Sequence, residues 1–215
     1  MIALVDDDNI PLDGWGENLL VGKEITCDVY TAKYCPVFDP LSVPKKYKHI
    51  WHRGFPIQYV NKKNMIEKTT DTYVPSIQAD LWNGDPDVDA ICRMEHAPEC
   101  DFSDDDVFPY GTTQPSPFNS QNTFILRSVV RDYFMFTCIG RMDDIWAAYY
   151  CESQGHRVVY NRPSVYQQRN NHNLTTDFEN EIIGYVNTEK IFKNVLEFIP
   201  KKSLDAFNEY RSLIS

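Results

Sequence analysis

The first apolar run of the chain ends at a cluster of carboxylates. Residues Met1 to Val5 are apolar and finish on a β-branched side chain, a pattern that predicts a buried strand. Three aspartates follow directly: Asp6, Asp7 and Asp8. Adjacent carboxylates cannot lie unpaired in an apolar core, because removing each of them from water is costly. The strand is therefore expected to end at Val5 or Asp6, with the carboxylates at its tip.

Other runs of apolar and polar residues predict a mixture of strands and helices. Apolar or alternating stretches are typical of strands, whereas apolar positions three or four apart are typical of helices. The acidic, proline-rich residues 95–117 predict a solvated loop of the kind that forms an active-site lid or an acceptor loop. The predicted strands are residues 25–30, 73–82, 123–126 and 156–160, and the predicted helices are residues 128–133, 143–154, 176–186, 191–196 and 203–213, the third with a capping box formed by Thr176 and Glu179.

Composition and charge narrow the classes of function. The chain has 215 residues, enough for one domain with a sizeable core or for two small ones. Its net charge of −10 argues against nucleic acid and anionic membranes as partners, since both require a basic face. No apolar run reaches the roughly 20 residues of a membrane span. The first apolar run is also too short for a signal peptide, so a cytoplasmic location is expected.

The six cysteines are scattered rather than arranged as a disulfide framework. Cys92, His96 and Cys100 follow one another at four-residue intervals, which could place three zinc ligands on one face of a helix. Pro98 interrupts that face, and no fourth ligand is evident. Reduced, partly buried thiols are therefore the expectation.

The acidic strand tip is a candidate metal site. Open α/β sheets bind ligands at the carboxyl ends of their strands. Clustered carboxylate oxygens suit Mg²⁺ or Mn²⁺. Taken alone, Asp6 to Asp8 are equally consistent with a turn that merely ends a strand.

A second acidic centre lies at the predicted start of a helix. Asp143 and Asp144 fall in its first turn, where the helix dipole favours negative charge. Capping explains one of the two carboxylates well and the second less well. The other could therefore face a cleft and act as a general base.

Three further groups have both a functional and a structural interpretation. Arg53 lies in the aromatic-rich turn 51–56, which is either a hydrophobic plug or a wall that holds a ring while the arginine meets a phosphate. The amide-rich residues 118–122 could bind sugar hydroxyls or form a polar turn. His172 precedes a predicted helix and is either a metal ligand or a polar turn residue.

The motifs together resemble glycosyltransferases of the GT-A type. Two families are similar in particular: the reversibly glycosylated polypeptides (UDP-arabinopyranose mutases) and the STELLO-like glycosyltransferases. The resemblance covers about residues 1–185 and follows the family order. The residues that carry it are Val5 to Asp8, Arg53 to Pro56, Leu81-Trp82 with Asp85 to Ala90, Phe118 to Asn122, and Gly140 to Ala147.

The resemblance implies a role for each candidate residue. Asp6 and Asp7 would lie near the ribose and the metal, and Asp8 would bind the metal, with His172 as a further ligand. Asp143 or Asp144 would deprotonate the acceptor hydroxyl, or would bind the sugar in a retaining or mutase-like enzyme. The implied cofactor is Mn²⁺ or Mg²⁺, which neutralises the leaving diphosphate. The remaining residues implied in substrate binding are Arg53, Asn119, Asn122, Arg141, Trp146 and Arg169.

The chain departs from the GT-A pattern at its start. A GT-A domain places a nucleotide-binding βαβ half before its acidic motif, whereas only Met1 to Val5 precede it here. Three explanations follow: the chain is a fragment, a partner supplies that half, or transfer activity is lost. A sheet without its first strands also leaves an exposed edge, which favours a homo-oligomer.

We therefore expect an α/β, GT-A-like mixed sheet with flanking helices over residues 1–200, followed by a helical extension over residues 201–215. Its expected ligands are a nucleotide-sugar donor and a hydroxyl acceptor, either a glycan or a small molecule. The alternatives are a non-catalytic binding or assembly subunit of a glycosyltransferase, a mutase, and a metal-dependent phosphohydrolase.

Overall fold

One mixed β-sheet with flanking helices organises the chain. The computed structural model describes residues 1–171 and 173–214. The α/β class predicted from the sequence is confirmed. The strands are β1 (Ile2–Val5), β2 (Asn9–Pro11), β3 (Ile25–Ala32), β4 (Ile66–Tyr73), β5 (Ile77–Gly84), β6 (Tyr110–Thr112), β7 (Asn122–Ile125) and β8 (Val158–Gln167), and the helices are α1 (Ala90–His96), α2 (Asp143–Ser153), α3 (Leu174–Ile191) and α4 (Lys201–Leu213).

The direction of the strands decides where a ligand can bind. The strand order is β1-β7-β5-β8-β6-β3-β4, and β2 pairs with the end of β8. β7 is antiparallel to both β1 and β5, while β5 and β8 are parallel. β1, β5 and β8 therefore point the same way, and their carboxyl ends lie at the same end of the sheet. That end of the strands is the usual position of a ligand site in an open α/β fold.

Helix α2 passes through the centre of the core. Its residues from Asp144 to Cys151 are all buried. A helix that is buried on every side has no polar face to give it an amphipathic pattern. Trp82 and Trp146 are among the largest fully buried side chains. Phe207 of α4 is also fully buried and contacts the rings of Phe136 and Tyr150.

The predicted burial of β1 is wrong. Ile2 and Val5 expose 40% and 41% of their surface, because β1 is the last strand of the described sheet and has only β7 beside it. An apolar strand at an edge keeps one face and one row of main-chain groups in solvent. The local pattern could not reveal that position.

Several other elements differ from the predictions. In place of the predicted helix 128–133 there is only a 3-10 turn, Arg127–Val129, and the predicted helix 191–196 is replaced by the end of α3 and a 3-10 turn, Val195–Phe198. The strand predicted over 156–160 starts later and runs further, as β8.

The stretch 73–82 divides, since β4 ends at Tyr73 and β5 begins at Ile77. The loop 95–117 contains the buried strand β6, which lies between β8 and β3. α3 begins at Leu174 because the side chain of Asn173 accepts hydrogen bonds from the main-chain N–H groups of Thr175 and Thr176. Asparagine is a stronger N-cap than threonine, so this cap replaces the predicted box at Thr176.

Two further expectations concern the cysteines, expected to be reduced, and the helices, none of which is expected to span a membrane. All six cysteines are free, and only Cys138 is exposed. Among the described residues, no helix combines the length and the apolar character needed to cross a bilayer.

Gly140 allows α3 to pack closely against the start of α2, and its replacement should lower the stability of the protein. Its φ is +61°, and an added Cβ would overlap the main-chain oxygen of Asn180. We expect Gly140→Ala to lower the free energy of unfolding by about 2–5 kcal/mol, from left-handed strain plus overpacking. Gly155 also has positive φ (+90°), but nothing lies within 4 Å of its added Cβ.

Gly155→Ala is therefore the matched control, with an expected cost of about 1–2 kcal/mol from backbone strain alone. Urea denaturation of both variants measures the difference. Equal losses would contradict the close approach of α3 at Gly140.

Candidate active-site cleft

A cleft of about 230 Å³ lies where the carboxyl ends of β1, β5 and β8 meet. Each strand delivers polar residues to it as it ends. Asp6 and Asp8 belong to the turn between β1 and β2, and the main-chain N–H of Gln168 ties that turn to the end of β8 by donating to the carbonyl of Asp8. The residues that line the cleft are Asp6, Asp8, Arg53, Asp87, Ser120, Gln121, Met135, Arg141, Asp143, Asp144 and Arg169.

Arg53 holds two buried aspartates at the floor of the cleft. Its Nε donates to Asp87 at 2.9 Å, and its two Nη atoms donate to the two carboxylate oxygens of Asp144, both at 2.9 Å. All three side chains are buried. Burial alone would raise the pKa of the Asp87 carboxyl, but the Arg53 guanidinium holds that pKa well below its usual range. The floor is therefore a fixed, charged network rather than a hydrophobic plug.

The other two arginines of the cleft are also paired. Arg169 lies 3.3 Å from Asp85 and 3.6 Å from Asp87. Arg141 contacts Glu181 of α3 at 2.9 Å. Arg141 keeps 22% of its side-chain surface exposed, against 5% for Arg169. Arg141 is thus the cationic side chain with most of its surface available to a ligand.

Three carboxylates of the cleft form no direct ion pair in the described part of the chain, namely Asp6, Asp8 and Asp143, although the charge of nearby Arg53 acts on Asp6 and Asp143. Burial, helped by the charges of Asp87, Asp144 and Asp8, raises the pKa of Asp6 to about 6. Burial and the neighbouring charge of Asp144 also raise the pKa of Asp143. One carboxylate oxygen of Asp8 is buried without a hydrogen-bond partner. An uncompensated group of this kind favours a cation from outside the chain.

The two aspartates at the start of α2 differ in how many hydrogen bonds their carboxylate oxygens already accept. Both oxygens of Asp144 are occupied by Arg53, and they also accept from the main-chain N–H groups of Ser120 and Ile145. Within the described residues, the Asp143 carboxylate accepts from main-chain N–H groups alone, among them that of Asp144 at 3.0 Å. Asp143 is therefore the carboxylate that remains available for chemistry.

No family model matches this sequence, and no curated protein matches it at a significant similarity.

Most of the predicted site residues meet in this cleft. Asp6, Asp8, Arg53, Arg141, Asp143, Asp144 and Arg169 line it together. Asn119 is buried just behind it and donates to Asp87 at 2.8 Å. Asp7 is exposed and lines an adjoining hollow with Asp8 and Arg169.

Two predicted residues, Asn122 and Trp146, lie inside the protein rather than in the cleft. Asn122 is fully buried within the sheet, where it donates to the carbonyl of Leu81 and to Ser164. Trp146 is fully buried in the core and has no surface for a ligand. His172 lies outside the described residues, so its predicted role as a metal ligand stays a prediction.

Asp87 lines the cleft without being among the residues predicted for it. The acidic residues Asp85, Asp87 and Asp89 follow β5 as Asp6 to Asp8 follow β1. Carboxylates that directly follow a strand are expected at its carboxyl end, and this expectation holds for Asp85, Asp87 and Asp89 as it does for Asp6 to Asp8. In the structure the three separate: Asp85 pairs with Arg93, Asp87 with Arg53, and Asp89 caps α1 by accepting from the N–H of Cys92.

Proposed function

We propose that this chain binds a nucleotide-sugar diphosphate through a divalent cation and transfers the sugar to a hydroxyl acceptor, as a GT-A-like glycosyltransferase. The observation that carries the proposal is that carboxylates and arginines lie together in one cleft. Three carboxylates that form no direct ion pair among the described residues lie beside arginines at the carboxyl end of the strands. Carboxylates and arginines together are what a metal–diphosphate complex requires.

Asp8 and Asp6 would hold Mn²⁺ or Mg²⁺. Among the described residues no three His, Cys, Asp or Glu side chains are grouped so as to hold a metal ion by themselves. A pair of carboxylates is nevertheless a suitable donor set, because Mg²⁺ in nucleotide sites uses one or two carboxylates and takes its other ligands from phosphates and water. The buried, unpartnered oxygen of Asp8 supports this assignment. When bound, the cation would neutralise the charge of the leaving diphosphate.

The arginines divide into two roles. Arg141 and Arg169 would meet phosphate oxygens, since both line the cleft and their guanidinium groups match phosphate geometry. Arg53 is a positioning residue, because its donors are directed to Asp87, Asp144 and the carbonyl of Arg141. It fixes the start of α2 and therefore the position of Asp143.

Asp143 would act as the general base. In the transfer step, the acceptor oxygen bonds to the anomeric carbon, the bond from that carbon to the diphosphate breaks, and the acceptor proton passes to Asp143. Asp144 cannot take this role while Arg53 occupies both of its oxygens. A raised pKa makes Asp143 a stronger base than an exposed aspartate.

A binding or assembly subunit without activity is the second candidate. The observation that favours it is the exposed edge of β1, which adjoins the Asp6 to Asp8 turn and has strand β7 on one side only within the described sheet. A partner strand could pair there and complete the site. The two candidates differ in turnover, which only the first predicts.

Calorimetry with Mn²⁺ and a panel of nucleoside diphosphates tests the proposed site. We expect binding that needs the metal and that Asp8→Ala weakens on the order of 100-fold, because the substitution removes a carboxylate ligand. Asp105→Ala is the matched control, since it removes the same charge from an exposed loop position. Unchanged affinity in Asp8→Ala would rule out the metal assignment.

The same binding should depend on pH through Asp6. A metal needs the ionised carboxylate, and Asp6 ionises with a pKa of about 6 in the metal-free protein. Affinity should therefore rise as the pH rises through that value and then level off.

Phosphate release from a nucleotide sugar without an acceptor would instead identify a phosphohydrolase.

A further inference from the structure

A second cavity, of about 380 Å³, lies at the opposite end of α2 from the proposed active site. Asp143 begins this helix, and Glu152 and Ser153 at its last turn line the second cavity. A helix of this length places its two ends about 15 Å apart, so the cavities are separate. The volume falls within the range of small-molecule sites.

Glu152 gives this cavity an uncompensated negative group. One of its carboxylate oxygens accepts the main-chain N–H of Ser116 at 2.9 Å. Across residues 1–171 and 173–214, no Lys, Arg or His side chain forms an ion pair with it, and burial raises its pKa well above the ordinary glutamate value. It also lies at the C-terminal end of α2, the negative end of the helix dipole, and no basic residue is present in the last turn. Burial and the helix dipole both disfavour the ionised form of a carboxyl group at this position.

The basic side chains near Glu152 are directed elsewhere. Arg157 pairs with Asp71 at 2.8 Å and stacks on the Tyr73 ring, 3.7 Å from its centroid. His156 lies 3.0 Å from Asp132. Both residues line the cavity, yet neither neutralises Glu152. The missing positive charge must therefore come from a ligand if Glu152 is to be ionised.

We infer that this cavity binds a small organic cation, a primary amine of about monosaccharide size, with Glu152 as its counter-ion. The aromatic ring of Phe192, which is half-buried, lines the same cavity and suits both an apolar body and a cation. A bare metal ion fits poorly, because Glu152 is the only carboxylate that lines this large space among the described residues. The inference does not depend on the proposed transferase activity.

Calorimetry with glucosamine, and with glucose as its neutral analogue, tests the inference. We expect glucosamine to bind at least about 10-fold more tightly than glucose, because a charge-assisted hydrogen bond to this half-buried carboxylate contributes that much. Glu152→Gln should remove the difference, since the amide keeps the shape and can still accept from Ser116. Glu24→Gln, an exposed site with the same change in charge, should leave it intact.

A second variant separates loss of the site from loss of the fold. Thr113 is exposed at the rim of the cavity, so Thr113→Trp should block binding without removing Glu152. Thermal melts establish that each variant is folded. Equal binding of glucose and glucosamine, undiminished binding by Glu152→Gln, or no binding of glucosamine, ethanolamine or putrescine at millimolar concentration would each overturn the inference.

Discussion

Arg53→Met is expected to lower the free energy of unfolding by about 3–5 kcal/mol, because it leaves two buried aspartates without their cation. Arg53 joins Asp87 to Asp144, and all three side chains are buried. Methionine fills a similar volume, so the loss would report on charge rather than on a cavity. For a chain of this length, the midpoint of thermal unfolding should fall by roughly 10 °C.

The effect should weaken in acid. The pKa of Asp87 in the folded protein is well below its unfolded value, so the stability that Asp87 contributes is present above the unfolded pKa and is lost as the pH falls below it. In Arg53→Met this contribution is already missing, so the difference between the two proteins should begin to shrink below about pH 4 and keep shrinking as the pH falls towards the folded pKa of Asp87. Urea denaturation at several pH values measures the trend.

Arg162→Met provides the matched control for Arg53. Arg162 forms an exposed ion pair with Asp104, and such a pair contributes roughly 0–1 kcal/mol. The two variants lose the same charge from very different surroundings. A loss below about 1 kcal/mol for Arg53→Met would show that the network at the cleft floor is not a structural support.

Asp143→Asn is expected to reduce transfer by about 10²–10⁴-fold while leaving the affinity for nucleoside diphosphate nearly unchanged. The asparagine keeps the size of the side chain and removes the proton acceptor. Steady-state turnover and calorimetry on the same preparation separate the two quantities. The acid limb of the pH–rate profile should lie above the ordinary aspartate pKa, since burial and Asp144 raise the pKa of Asp143.

Asp144→Asn should behave differently, because its carboxylate binds Arg53 through both oxygens. We expect loss of stability together with loss of activity, the pattern of a positioning residue. Rapid turnover in Asp143→Asn with slow turnover in a stable Asp144→Asn would reverse the two roles. Equal loss of turnover and of nucleotide affinity in Asp143→Asn would contradict a role as base.

The features predicted correctly from the sequence depend on local patterns. An apolar run followed by carboxylates marks a strand end, and this placed Asp6 and Asp8 at the edge of the sheet. Acidic residues in a first turn marked the start of α2 at Asp143. The aromatic-rich turn 51–56 does bring Arg53 to the cleft, but its partners there, Asp87 and Asp144, could not be predicted from that turn.

The features that were missed depend on pairing between distant segments. Nothing near Val5 in the sequence shows that β1 lies at the end of the strand order. Asn122 faces a network inside the sheet only because β7 lies between β1 and β5. Asp87 and Arg53 are separated along the chain, so their ion pair forms only through the fold. Such contacts are properties of topology rather than of local composition.

The strand order also has a kinetic consequence. The cleft collects side chains from segments near residues 6, 53, 87, 120, 143 and 169, and parallel strands β5 and β8 are joined by a long crossover. Loops of this length must close before the long-range contacts can stabilise them, which slows folding. The cleft should therefore be complete only once nearly the whole chain has folded. A ligand of the cleft would then select native molecules over partly folded ones and stabilise them by mass action.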